Sequence, residues 1–392
     1  MDAFTTPLPK AWQRVKLGDI LELLTDYHAN GSYEILKNNV TLLKNVDFAI
    51  MIRTTNFENN DFKNDLIYID KKAYEFLSKS KVFAGDILVN KIANAGTAYF
   101  MPKLNQPVSL GMNLFLLRIK PSYNNLFIFK QIANYERVLK TFANGSATKT
   151  ITKNVIKNLL IPLPPLNEQI AIANILSALD RYLYSLDALI LKKESVKKAL
   201  SFELLSQRKR LKGFNQNWQR VRLGDICEIT TGSLDANEMV HYGKYRFYTC
   251  AKEYYFIDKY AFDTEAILIS GNGAYVGYVH YYKGKFNAYQ RTYVLDNFSE
   301  HIIFVKYFLT IFLQSHIQTN RNEGNTPYIV MATLKDFEIL LPPLNEQIAI
   351  ANILSALDNE IISLKNKKRQ FENIKKALNH DLMSAKIRVL NK

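Results

Sequence analysis

Few of the side chains able to do covalent or metal chemistry stand together in this 392-residue sequence. The six histidines fall at 28, 241, 280, 301, 316 and 380, without the spacing that zinc ligands keep. Cys227 and Cys250 are the two cysteines. That is too few for a disulfide framework and suits two reduced structural thiols. No GxxxxGK[ST] phosphate loop occurs, and GNGAYVG from Gly271 has its glycines two and four apart with no βαβ unit behind it. A turn between strands explains it better than a dinucleotide site. A base-methylation motif of the Asn-Pro-Pro-Tyr kind is missing as well. The expectation is a chain that holds no cofactor, no metal and no catalytic centre of its own.

What the sequence does hold is positive charge interleaved with aromatic rings. Its formal charge is +15, from 51 Lys and Arg against 36 Asp and Glu, so a polyanion is the first partner to consider, with nucleic acid ahead of an anionic membrane. Two runs carry most of the excess. Eight basic residues face two glutamates between Lys192 and Lys212, and nine face two acids between Lys365 and Lys392. They form either a surface for DNA or an acidic partner, or the solvated face of a helix. Elsewhere Lys244-Tyr245-Arg246-Phe247-Tyr248 and Lys252-Glu253-Tyr254-Tyr255 alternate charge and ring. Such strands can meet phosphates through Lys and Arg while polar groups read base edges, or can simply be sheet core.

The elements that would carry these residues are arranged in duplicate. LPPLNEQIAIANILSALD occurs twice without a change, at 163–180 and 341–358, and KKALSFELLSQRKRL from Lys197 recurs as KKALNHDLMSAKIRV from Lys375 at the same offset of 178. A second repeat, WQRVKLGDI from Trp12 and WQRVRLGDI from Trp218, is offset by 206. The first intervening segment is therefore 28 residues longer than the second. The order is short motif, variable segment, long repeat, then the same again. If the end of the chain stands where a preceding long repeat would, the two halves are equivalent, the termini lie close together, and the fold has a circular, pseudo-twofold plan.

Each long repeat reads as one helix. LPP breaks the preceding element, Asn167 is the expected N-cap and Glu168 suits the first turn. Stepping by 4, 3, 4, 3 from Ile172 meets Leu176, Leu179, Leu183, Leu186, Ile190, Lys193, Lys197, Leu200, Leu204, Gln207 and Leu211. The second copy meets Ile350, Leu354, Leu357, Ile361, Leu364, Lys368, Phe371, Lys375, Leu378, Leu382, Ala385 and Val389. A period of 3.5 over six heptads argues for a seam between two antiparallel coiled-coil helices rather than for two helices each lying on its own domain. The expected helix interface is Leu176, Leu179, Leu183, Leu186, Leu354, Leu357, Ile361 and Leu364, softened by the seam lysines where other subunits could dock.

The variable segments read as short β-rich runs such as GDILVN, NLFLLRIK, AILIS and RTYVLD. Each then reaches a helical stretch, LFIFKQIANYERVLKTFA or HIIFVKYFLTIFLQSHI, and a glycine-containing loop, NGSATKTI or NEGNTPYI. GDILVNKIANAG resembles EAILISGNGA. The fold class expected is α+β: two α/β domains at 1–162 and 214–340, joined by long helices at 163–213 and 341–392. MDAFTTPLPKAW has no apolar core for a signal peptide, and the apolar run at 302–313 is too short for a membrane span, so a soluble, cytoplasmic protein is expected.

WQRVxLGDI, a variable segment, PLPPLNEQxxIAxIL and a helix ending in KKALxxxLLS, all in tandem, together resemble the specificity subunits of Type I restriction-modification enzymes along the whole chain. The resemblance implies two target-recognition domains, each reading half of a bipartite site in double-stranded DNA, with the coiled coil setting the unread spacer. It also implies modification subunits that use S-adenosylmethionine and restriction subunits that use ATP and Mg2+, while this chain is not an enzyme. The expected DNA contacts lie in equivalent loops, Lys91, Asn94, Lys149 and Lys153, then Asn272, Tyr275, Arg291 and Asn325, together with Lys244 and Arg246 of the run that alternates charge and ring. The rival is a bivalent coiled-coil scaffold whose charge serves solubility. RNA binding is disfavoured, because no RRM- or KH-like signature occurs.

Overall fold

The computed structural model describes residues 8–143, 149–320 and 327–389; Asn325 lies outside them. Two compact units divide the chain, Met1–Tyr184 with Arg369–Lys392 and Ser185–Lys368. Each unit contains one variable segment and half of each long helix.

In the first unit the opening motif forms strand Gln13–Lys16, antiparallel to Leu160–Leu163. The variable segment builds a four-stranded antiparallel sheet in the order Leu21–Asp26, Leu114–Ile119, Ile87–Asn90, Ala98–Phe100. A second four-stranded sheet runs Tyr68–Ile69, Ala49–Ile52, Val108–Leu110, Lys81–Val82. Its middle pair is parallel. In the second unit strand Gln219–Arg222 pairs with Glu338–Leu341 in the same way. The six-stranded sheet there runs Glu228–Thr231, Thr292–Asp296, Phe262–Ser270, Val279–Ala288, Tyr245–Tyr248, Tyr255–Ile257. The apolar run 302–313 lies within helix Ile302–Asn320, which buries Phe304, Val305, Tyr307, Phe308, Leu309 and Leu313. GNGAYVG is the turn between two strands of this sheet.

The repeated glycine of the short motif has a packing reason. A Cβ on Gly18 would stand 3.1 Å from the Lys157 carbonyl oxygen, and one on Gly224 3.0 Å from the Lys335 side chain. Both sites press a turn against the short helix that precedes the closing strand.

The long helices are Leu166–Leu205 and Leu344–Met383. They begin one residue before Asn167 and its counterpart Asn345, so neither is the N-cap. Pro165 and Pro343 take that place, their carbonyls accepting from the N–H groups of Glu168 and Gln169, and of Glu346 and Gln347. The Asn167 side chain instead shares the adjacent Glu168 N–H with the Pro165 carbonyl. The helices also stop before Gly213, through Gln207 and Ala385, which take left-handed φ of 61° and 60° at equivalent places.

Every seam position from Ile172 to Leu204 and from Ile350 to Leu382 is buried or half-buried. Within each unit the pairing is antiparallel. Tyr182 meets Phe371 and Asp180 meets Lys375 in the first; Asp187 meets Lys368, Lys193 meets Glu360 and Lys197 meets Asp358 in the second. The seam lysines therefore do not soften the contact. Their stems lie along it while the ammonium groups reach acids of the opposite helix.

At the head of each long helix a carboxylate is shut away from water. Glu168 is 1% exposed and Glu346 0%. The Trp12 indole N–H donates to Glu168 at 3.1 Å, and Arg388 holds both its oxygens at 2.6 and 2.9 Å. Trp218 and Arg210 treat Glu346 alike, at 3.2 Å and at 3.2 and 2.6 Å. In the first unit this brings Arg388, near the end of the sequence, onto Trp12, near its start. Leu382 and Met383 join the same core as Trp12 and Leu17, so Leu8 and Val389, at the two ends of the described residues, pack on one core as the repeats required.

Leu176 and Leu354, both 0% exposed, are the deepest seam leucines. Either one changed to alanine should cost about 2–5 kcal/mol by lost transfer energy and cavity formation, measured by urea unfolding of the full chain; a cost under about 1 kcal/mol would show a seam able to collapse around the gap.

Candidate nucleic-acid interface

Two loops with little sequence in common are held by the same backbone hydrogen bonds. In the first unit Lys91 N–H donates to Asn113 O, Ile151 N–H to Lys91 O, Ala93 N–H to Lys149 O and Gly96 N–H to Asn90 O. In the second, Gly271 N–H donates to Arg291 O, Ile329 N–H to Gly271 O, Gly273 N–H to Pro327 O and Gly277 N–H to Ser270 O. Isolated bridges Ile92–Thr150 and Asn272–Tyr328 complete the match. Ala93 and Gly273 both take left-handed φ, 65° and 83°, so the two turns share a conformation as well as partners. The loop after the central sheet strand is thus pinned in each unit to the start of the next strand and to the segment preceding the short final helix.

In the second unit this frame gathers Asn272, Tyr275 and Arg291. A cleft of about 270 Å3 is lined by Gly271, Gln290, Arg291, Tyr293 and Ile329. Arg291 is exposed, and among the described residues no acid lies within ion-pair distance of it. Tyr275 is 43% exposed, with the Lys252 ammonium 5.1 Å above its ring. Gln290 donates to Asp235 at 2.7 Å. Together they offer a guanidinium, an ammonium, amides and a ring on one side of the sheet end, a set able to meet phosphate and base edges.

Arg246 is on a different strand, Tyr245–Tyr248, and Lys244 in the bend just before it. Lys244 is exposed, but the Arg246 guanidinium lies 4.2 Å from the Tyr254 ring and 4.4 Å from Tyr282, and donates to the Tyr248 hydroxyl. Stacked between two tyrosines, it is part of the sheet packing.

In the first unit Lys91 is 8% exposed. Its ammonium binds Asp26 at 3.3 Å, and Lys153 binds the other oxygen of the same carboxylate at 3.0 Å. Burial drives Lys91 toward its neutral form, so its role is internal, tying the loop to strand Leu21–Asp26. Lys153 is the outer partner and leaves an excess positive charge near the surface. Lys149 is exposed beside it, while Asn94 is exposed and donates to Glu58 at 3.4 Å. Burial, with Glu58 and Glu136 close by, pushes the Tyr99 hydroxyl up to about 12.

About half of the basic residues in the runs at the helix ends are committed elsewhere. Lys193, Lys197, Lys209, Arg210, Lys365, Lys368, Lys375 and Arg388 all hold acids of the helices themselves. That share of the charge seen in the sequence therefore belongs to the frame, and the loops are the better candidates for DNA.

Two loop residues were not singled out from sequence: Asn113, the counterpart of Arg291 by hydrogen bonding and likewise exposed, and Gln290. The likeness of GDILVNKIANAG to EAILISGNGA fixed the loops, but nothing marked the strand start opposite them.

Residues 9–193 and 215–373 match the family model of the Type I restriction modification DNA specificity domain, and the chain belongs to that family. It is 39% identical over 163 residues to the EcoDI specificity subunit of Escherichia coli, covering 41% of this chain and 35% of that protein. To the putative MjaX specificity subunit of Methanocaldococcus jannaschii it is 29% identical over 426 residues, 97% of this chain and 95% of that one. The chain thus spans about a third of the first relative and nearly all of the second. The crystal structure of a Type-I restriction-modification S subunit from M. genitalium has the same fold, with TM-score 0.65 at 18% identity over 97% of both chains. Among the described residues no helix is long and apolar enough to cross a membrane, and no cluster of three or more His, Cys, Asp or Glu could hold a metal ion.

Burial raises the Asp26 carboxyl, but its bonds to Lys153 and Lys91 outweigh that and hold it below the ordinary value of 3.8. The stability it contributes is complete above that value and is lost as pH falls through the lowered one. Asp26→Asn should therefore flatten the acid limb of unfolding between about pH 5 and pH 1, measured as denaturation midpoint against pH; an unchanged limb would contradict the pairing.

Proposed function

We propose that this chain is the DNA-reading subunit of a Type I restriction-modification complex in the cytoplasm. Each variable segment reads one half of an asymmetric bipartite site. The observation that carries this is the pair of loops pinned by the same hydrogen bonds yet armed differently. Asn113 stands where Arg291 stands, and Lys149 where Pro327 stands. A constant scaffold with variable polar groups suits two domains that read unlike half-sites on one duplex. The pair of long helices sets the unread spacer. Lys149, Lys153, Asn94 and Asn113 would meet DNA from the first domain, and Asn272, Tyr275, Arg291 and Lys244 from the second.

Chemistry belongs to partners in this proposal. Modification subunits would bring S-adenosylmethionine and the methyl-transfer site, restriction subunits ATP and Mg2+, and this chain only the address. The named relatives are specificity subunits of restriction enzymes, which supports the division of labour. The same apolar pair is exposed at the head of each long helix, Leu166 with Ile170 and Leu344 with Ile348. Identical apolar patches suit two copies of one modification subunit.

Co-expression with the modification subunit of its own system, followed by genome-wide mapping of methylated adenines, should give one split motif. Arg291→Ala should relax one half-site by about 1–3 kcal/mol of discrimination and leave the other intact. No split motif from an assembled complex would favour the coiled-coil scaffold instead.

A further inference from the structure

The eighteen identical residues grip each recognition domain at corresponding points. Gln169, 2% exposed, accepts the Asn124 N–H at 2.9 Å; Gln347, 1% exposed, accepts the His301 N–H at 3.0 Å. Each glutamine amide also donates to the carbonyl five residues before it, Pro164 or Pro342, which fixes the orientation of its head. Asn124 and His301 both precede a domain helix and both side chains accept from the N–H three residues on, that of Phe127 or Phe304. Both phenylalanines are 0% exposed. Six residues beyond each of these starts comes the second point. Lys130 donates to Asp180 at 2.7 Å, and the Tyr307 hydroxyl donates to Asp358 at 2.6 Å. Asp180 and Asp358 each also hold a lysine of the opposite long helix, Lys375 and Lys197.

The correspondence is positional, not chemical. An ammonium and a phenol, on helices of different length and sequence, arrive at the same carboxylate in the same register. The glutamine and aspartate are eleven residues apart, about 16 Å along the helix. Two such points fix the direction of a domain helix, and the tryptophan–glutamate bond supplies a third by tying the domain's opening motif to the same frame helix. In both domains that helix packs under the sheet carrying the paired loops.

We propose that Asp180 and Asp358 are positioning residues for DNA recognition, each tying its domain helix and the opposite frame helix to one carboxylate and so fixing where that domain's loops stand along the duplex. The inference rests on the DNA-reading proposal above. Burial raises both carboxyls, but the bonds they accept outweigh it and keep both ionised at neutral pH. The domain-side partner need only be a donor of the right reach. One base pair more or less in the spacer moves the half-sites by about 3.4 Å and turns them by a tenth of a helical turn. A domain held at three points resists that change, whereas one free to rock about its other anchors accepts it.

The test uses the full chain assembled with its modification subunit, and duplexes in which the mapped motif has its own spacer or one base pair more or fewer. Wild type should methylate its own spacer strongly and the others weakly. Lys130→Ala should lower that preference by about tenfold or more while discrimination within each half-site persists, and Lys130→Tyr should restore the preference, because a phenol already serves at Asp358. Tyr307→Phe, which removes only a hydroxyl, should relax the preference through the other domain and keeps the test open if Lys130→Ala does not fold. Wild-type preference in Lys130→Ala or in Tyr307→Phe overturns the proposal, as does failure of Lys130→Tyr to restore it. A merely stabilising contact would lower the rate on all spacers alike, which also counts against it. If wild type methylates no split motif at all, the DNA-reading proposal itself fails and this one falls with it.

Discussion

A carboxylate removed from water must be given charge and hydrogen bonds, or it is neutralised or exposed. Glu168 and Glu346 sit in the first turns of the long helices, where the helix dipole helps, and each still needs the guanidinium fork of an arginine and an indole N–H. The arginine comes from the far end of the other long repeat, just past its helix: Arg388 for Glu168, Arg210 for Glu346. The tryptophan comes from the short motif. Each bridge therefore draws on all three repeated pieces, which explains why the short motif and the long repeat travel together, and why each unit needs the start of one long helix and the end of the other.

The invariance of LPPLNEQIAIANILSALD now divides by residue. Leu163, Ile172, Ala173 and Leu176 are core. Glu168, Gln169 and Asp180 are polar and occupied in holding the adjoining domain. Leu166 and Ile170 face outward. Packing alone would tolerate exchanges among the apolar members, as the later turns of the helices do. Polar groups with two or three partners each tolerate far less, because losing one partner leaves the others buried and unsatisfied.

Much of this was legible in the sequence. The offsets of 178 and 206 gave the circular order, and the 4-3 spacing gave a seam whose positions are covered as far as Leu204 and Leu382; beyond them the exposed Gln207 and its counterpart Ala385 have left the helices. The strand runs and the turn at GNGAYVG were readable from composition and glycine spacing. Other features depended on contacts between distant residues. The ion pairs of Lys193, Lys197, Lys368 and Lys375 needed the helix register, so a spacing that placed lysines on the seam could not tell weakness from clamping. Lys91 looked like a loop cation, but Asp26, sixty-five residues away, claims it. Arg246 looked available in an alternating strand until Tyr254 and Tyr282 closed over it. Asn124 with Lys130 and His301 with Tyr307 share a spacing of six, a signal that was present but hidden because their chemistry differs.

Trp12 and Trp218 are the only tryptophans in the sequence, so the two bridges can be observed one by one. In the full chain with 15N-labelled tryptophan, the two indole N–H resonances and their exchange rates report on Glu168 and Glu346 separately. Arg388→Ala should shift the Trp12 indole and speed its exchange while leaving Trp218 as it was, and Arg210→Ala should do the reverse. If Arg388→Ala left the Trp12 indole unmoved and protected, the closure of the chain's end onto its beginning through a buried carboxylate would be contradicted.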